Sequence, residues 1–128
     1  MSNITICGTV ITGEGNGKKY IQLPWVKQQI ENMLGFSPYY GTLNLQLTVE
    51  YAEKRKRLAQ SKAIMINPAE GYCVGHLFRS NIGNLECAVI LPQFEGYPEN
   101  ILEIVASVNL RETLKLKDGD AVTVTVLG

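Results

Sequence analysis

Apolar and polar residues alternate most cleanly from Leu43 to Val49, where Leu43, Leu45, Leu47 and Val49 interleave with Asn44, Gln46 and Thr48. A period of two predicts a strand with one apolar and one polar face. Similar β-rich stretches recur at Ile4 to Thr12, Ala63 to Ile66, Tyr72 to Phe78, Leu85 to Leu91, Ile101 to Val108 and Ala121 to Leu127, separated by turn-forming residues. A helical period stands out once. Val26, Ile30, Met33 and Leu34 fall at i, i+4, i+7 and i+8, with Pro24 suited to the first turn and Gly35 to the stop. Asn109 followed by Glu112 resembles a capping box and predicts a short helix before the turn Lys117-Asp118-Gly119-Asp120. Many short strands, one sizeable helix and short helical segments predict a mainly β fold, a small closed antiparallel-rich barrel, because βαβ crossovers would need more helices.

Length changes this picture little, since 128 residues suit one domain spanning 1–128. Charge changes it more. Lys plus Arg and Asp plus Glu each number 12, so no excess attracts nucleic acid or an anionic membrane, and any anion must be bound locally. No apolar run approaches the roughly 20 residues of a membrane-spanning helix, and the first residues alternate like a strand rather than a secretory signal, so a cytoplasmic protein is expected. Cys7, Cys73 and Cys87 are scattered without a C-x-x-C pair and read as small apolar core residues; joining all three to His76 at one zinc is disfavoured. The run Lys54-Arg55-Lys56-Arg57, within Glu50 to Lys62, reads as a solvated helix or loop, because the interleaved aromatics of a nucleic-acid surface are missing.

Three places could carry chemistry. The run Gly13-Glu14-Gly15-Asn16-Gly17, closed by Lys18 and Lys19, offers unobstructed backbone amides and two ammonium groups to a polyphosphate; a plain glycine-rich hairpin reads equally well, since the Walker spacing is absent. Thr42 and Asn44 lie two apart in a strand, so their oxygens project from one face, either as an exposed strand surface or as weak ligands to a Mg²⁺ ion whose shell a nucleotide completes. Glu103 interrupts the apolar strand Ile101-Leu102-Glu103-Ile104-Val105-Ala106, where it either lines a cavity or faces outward. Arg111 reads as a surface residue or a phosphate contact.

Taken in order, Gly8-Thr9-Val10, Gly13 to Ile21, Leu34 to Leu45, Tyr97-Pro98, Ile101 to Ala106, Asn109-Leu110-Arg111-Glu112 and Leu116 to Asp120 resemble the archaeal-type CTP-dependent riboflavin kinases. The resemblance implies a cradle-loop barrel of the riboflavin-kinase type. It further implies transfer of the terminal phosphate of CTP to riboflavin, giving CDP and FMN, with Mg²⁺; no obligatory protein partner is inferred. By the same resemblance Glu14, Gly15, Asn16, Gly17, Lys18 and Lys19 wrap the nucleotide phosphates, and Asn109, Leu110, Arg111 and Glu112 contact the cytidine nucleotide. Thr42 and Asn44 coordinate Mg²⁺, while Glu103 meets the ribityl hydroxyls and Glu95 sits beside the flavin. The chain departs from the family at Glu95 and Gly96, where a threonine and a histidine are common, and that departure keeps a second reading open: a nucleotide- or flavin-binding barrel without turnover. Glu50 to Asn84 matches poorly and carries no functional expectation.

Overall fold

The computed structural model describes residues 3–13, 16–39, 41–61, 63–67, 75–93 and 96–127. Among these the chain forms seven strands and four helices: β1 (Ile4–Ile11), α1 (Asn16–Ile21), α2 (Pro24–Leu34), β2 (Leu43–Gln46), α3 (Val49–Ala59), β3 (Ile64–Ile66), β4 (Gly75–Ile82), β5 (Leu85–Pro92), β6 (Ile101–Val105), α4 (Leu110–Thr113) and β7 (Ala121–Val126). Strands β4, β5, β6, β2, β1 and β7 pair in that order, and β7 returns to β4 through Ser80 opposite Val126, closing a six-stranded antiparallel barrel with β3 attached to β4. The predicted mainly β barrel is therefore the fold, opened and closed by strands as the alternation required.

The barrel fills its lumen with one face of each strand. Ile6 and Val10 of β1, Leu43 and Leu45 of β2, Leu102 and Ile104 of β6, and Val122, Val124 and Val126 of β7 meet there. At Gly8 the chains approach so closely that a β-carbon would stand 2.7 Å from Leu45 Cβ and 3.2 Å from the Gln46 carbonyl, which accounts for a glycine inside a strand. β5 is buried on both sides: Cys87, Val89 and Leu91 face the lumen, whereas Ala88 and Ile90 lie in a second cluster with Ile21, Val26, Ile30 and Leu34 of α1 and α2. Its continuous apolar run follows from this double burial.

α2 begins with Pro24 in its first turn and stops at Gly35, whose φ of 80° is the left-handed conformation that glycine adopts freely. α4 is capped by Asn109, whose Oδ1 accepts the Glu112 amide at 3.2 Å.

Several expectations need correction. Val49 does not continue the Leu43 strand: β2 ends at Gln46, Thr48 is the N-cap of α3, Glu50 enters the first helical turn, and Val49 is 82% exposed. α3 equals α2 in length, so a second sizeable helix joins the one expected. The glycine-rich run gives way to helix already at Asn16, where a loop through Lys19 was expected. β4 continues through Ile82 to a tight turn at Gly83 and Asn84, and β6 ends at Val105 instead of Val108. Cys87 is in the core as expected, but Cys7 is partly exposed, and Cys73 lies outside the described residues.

Candidate active site

Strand register decides which side chains meet outside the barrel wall. Ile11 of β1 stands opposite Asn44 of β2, Asn44 opposite Glu103 of β6, and Glu103 opposite Ile90 of β5, so the four form one row across the sheet. Directly opposed residues project from the same face. Here it is the outer face, because the neighbouring residues Leu43, Leu45, Leu102 and Ile104 point into the lumen. A cavity of about 310 Å³ opens along this row, walled by Ile11, Thr12 and Gly13, by Asn44 and Glu103, and by Tyr97 and Pro98 of the segment leading into β6.

Glu103 lines the cavity at 2% exposure, and a carboxylate so buried requires hydrogen-bond donors. Tyr97 donates its hydroxyl to Oε2 at 2.6 Å, and Thr42 donates to Oε1 at 3.4 Å. Burial raises the Tyr97 phenol well above its usual range, and the adjacent Glu103 charge raises it further, so Tyr97 stays protonated as the donor of this bond. Asn44 Nδ2 lies 3.5 Å from both the backbone oxygen and the hydroxyl of Thr42. Gly13 completes the group, because a β-carbon there would stand 2.5 Å from Asn44 Cγ. The end of β1, Asn44 and Glu103 thus share one space, with Thr42 hydrogen-bonded to both side chains.

These residues fit a hard divalent cation only as part of its shell. Thr42 carries a hydroxyl and Asn44 an amide whose nitrogen lies 3.5 Å from it, so both offer neutral groups, and among the described residues no group of three or more His, Cys, Asp or Glu gathers anywhere. Such a cation would need phosphate oxygens to complete its coordination.

The expected nucleotide contacts are distributed less simply. Glu14, Gly15 and Glu95 lie outside the described residues; Asn16, Gly17 and Lys18 fall in α1, and Lys19 is exposed there, away from the cavity wall. Leu110 buries its side chain in the lumen core, leaving only its backbone for a ligand. Arg111 binds Asp118 at 2.9 Å, and Asp118 also accepts the Thr12 hydroxyl at 3.0 Å, so α4 is tied to the cavity wall through one carboxylate. Asn109 donates to the Tyr39 hydroxyl at 3.2 Å. Gly96 adopts φ 88°, a backbone conformation that resists a side chain.

Two participants escaped the sequence reading. Tyr97 was visible only as part of a motif, and its bond to Glu103 has no periodic signature. Arg55, set aside within a charged run, is 9% exposed: its Nε donates to the Ile101 carbonyl at 2.8 Å and its guanidinium lies 5.5 Å from the centre of the Tyr97 ring. The available signal was the α3 stripe of Tyr51, Ala52, Arg55, Leu58 and Ala59, whose spacing places the arginine amid the apolar face.

The sequence profile CTP-dep_RFKase, described as "Domain of unknown function DUF120", matches residues 10–126. The chain belongs to this CTP-dependent riboflavin kinase family. It is 37% identical to the riboflavin kinase of Pyrobaculum arsenaticum over 99% of its own length, and 39% identical to that of Archaeoglobus fulgidus over 97%. A further relative, the riboflavin kinase of Ignicoccus hospitalis, is 35% identical over 96% of the chain. The chain spans 62%, 55% and 71% of those three proteins, respectively. The family match contains every cavity residue from Ile11 to Glu103. No helix among the described residues is long and apolar enough to cross a membrane.

Proposed function

We propose that this chain is a riboflavin kinase that transfers the terminal phosphate of CTP to the ribityl 5′-hydroxyl, giving FMN and CDP. The observation that carries the reading is the convergence of Gly13, Asn44 and Glu103 on one cavity, with Thr42 hydrogen-bonded to Glu103 behind it, in a chain of this family. Phosphoryl transfer proceeds through a loose transition state, so aligning the reactants and neutralising charge matter more than a strong base. A site with one buried carboxylate and neutral oxygens suits that demand.

In this reading the donor's phosphates lie against the end of β1 and the residues that follow it, Glu14 to Lys19, with amides and lysine ammonium groups opposing their charge. The cytidine lies toward Asn109 to Glu112, held in register with the cavity by the Arg111, Asp118 and Thr12 chain. Thr42 and Asn44 would hold Mg²⁺, which when bound neutralises charge developing on the phosphates. Glu103 receives the acceptor hydroxyl, orients it and takes its proton as the new O–P bond forms and the bond from the γ-phosphorus to the bridging oxygen breaks. Tyr97 stays protonated and keeps the second carboxylate oxygen fixed.

Asn44→Leu tests the assignment. It should abolish Mg²⁺-dependent FMN formation while the circular dichroism spectrum and riboflavin binding persist; undiminished turnover would refute the role of Asn44. The second reading, a barrel that binds flavin or nucleotide without turnover, is motivated by Glu95 and Gly96 in the loop before Tyr97. It predicts saturable binding of flavin or nucleotide and no FMN.

A further inference from the structure

A buried arginine in an otherwise apolar helix face requires a reason. Along α3 the inward stripe of Tyr51, Ala52, Leu58 and Ala59 packs on the barrel core, and Arg55 occupies its centre. An apolar residue would fill that place without desolvating a cation. Among the described residues the guanidinium makes one hydrogen bond, from Nε to the Ile101 carbonyl at the start of β6. It also lies over the Tyr97 ring, within the roughly 6 Å range of an attractive cation–π pair. Burial lowers the Arg55 pKa, and the nearby Tyr97, Glu99 and Glu103 oppose that shift.

Tyr97 stands between two cavities. Its ring walls the Glu103 cavity and also a second cavity of about 270 Å³ lined by Arg55, Ala59 and Leu91. Only a ring held between the two keeps its hydroxyl on Glu103 Oε2. The guanidinium is anchored to the strand that carries Glu103 and lies against the ring, so the three groups form a continuous series from α3 to the cavity.

We propose that Arg55 is a positioning residue for the phosphoryl acceptor: acting through the face of Tyr97, it fixes Glu103 Oε2 and so orients the carboxylate toward the acceptor hydroxyl. This deepens the kinase reading and rests on it. Arg55 touches neither the donor nor the reacting atoms, so its removal should disturb the acceptor side alone.

The test compares wild type, Arg55→Met, Glu103→Gln and the double variant, with Arg55→Lys as a conservative control, measuring initial rates against riboflavin and against CTP. Arg55→Met should lower kcat/KM for riboflavin about 10- to 100-fold and leave the KM for CTP unchanged. In the Glu103→Gln background the same substitution should produce no further loss, because Arg55 acts through that carboxylate. An equal loss in both backgrounds, or an equal rise in both KM values, overturns the proposal. If Arg55→Met does not fold, Arg55→Lys decides: it retains the charge but not the planar fork, so a partial loss confined to riboflavin supports the proposal, and wild-type kinetics overturn it. If the wild type itself forms no FMN, the kinase reading fails separately. Titration of riboflavin fluorescence then decides, with weaker binding by the Arg55 variant supporting the positioning role and equal binding overturning it.

Discussion

Gly13→Ala separates site geometry from stability more sharply than any other substitution here. A β-carbon at residue 13 would lie 2.5 Å from Asn44 Cγ and 2.8 Å from Nδ2, while comfortable carbon contacts are about 3.5–4.0 Å, so the Asn44 amide must retreat by about 1 Å. The backbone of Gly13 is outside the left-handed region, so alanine adopts it without strain. Asn44 borders an open cavity and can yield, which limits the folding cost to an off-rotamer penalty of about 0.5–1.5 kcal/mol. Catalysis is less tolerant: a misplacement of that size costs on the order of 100-fold, or about 2.7 kcal/mol of barrier. Gly8→Ala provides the opposite control, since its β-carbon would collide at 2.7 Å with Leu45 Cβ, an atom fixed to the strand that cannot retreat. It should destabilise the barrel by about 1–3 kcal/mol and leave turnover per folded molecule unchanged. Thermal melts paired with chromatographic FMN assays read both effects. A Gly13→Ala protein with wild-type turnover, or one whose activity falls only in proportion to its unfolded fraction, would refute the reasoning.

Other outcomes follow from the same groups. Tyr97→Phe removes the donor to Glu103 Oε2, so denaturant melts should show a loss of about 1–3 kcal/mol, and kinetics a higher riboflavin KM with the CTP KM unchanged. Burial pushes the Cys87 thiol from its ordinary 9.0 up to about 12, so the folded state keeps its proton longer than the unfolded chain. Its contribution to stability is complete below pH 9 and disappears as pH rises toward 12; Cys87→Ala should flatten that part of the stability curve, and an unchanged slope would contradict the assignment.

Where one local rule acted alone, the sequence predicted the structure closely. Alternation placed β2 and its lumen leucines, Pro24 and Gly35 bounded α2, and Asn109 capped α4, because each depends on neighbours a few residues away. Val49 shows where alternation failed: its apolar character extended the period, but the capping position of Thr48 and the acidic first turn turned the chain into a helix. The site was partly visible. Thr42, Asn44 and Glu103 stood out as polar residues on a strand face or in an apolar strand, yet their meeting depends on register between β2 and β6, which no local pattern encodes. Arg55 was hidden for the reverse reason. Lys56 and Arg57 of its charged run are exposed and Lys54 is half-buried, and only the tertiary position of α3 against Tyr97 distinguishes the buried Arg55.

The central claim is that this cavity joins a nucleotide's terminal phosphate to a flavin's alcohol. Incubating the purified chain with riboflavin, Mg²⁺ and CTP carrying a labelled γ-phosphate, then separating the flavins, measures that directly. The account predicts label in FMN with equimolar CDP, and much less with ATP as donor. Riboflavin recovered unlabelled beside intact CTP would contradict it.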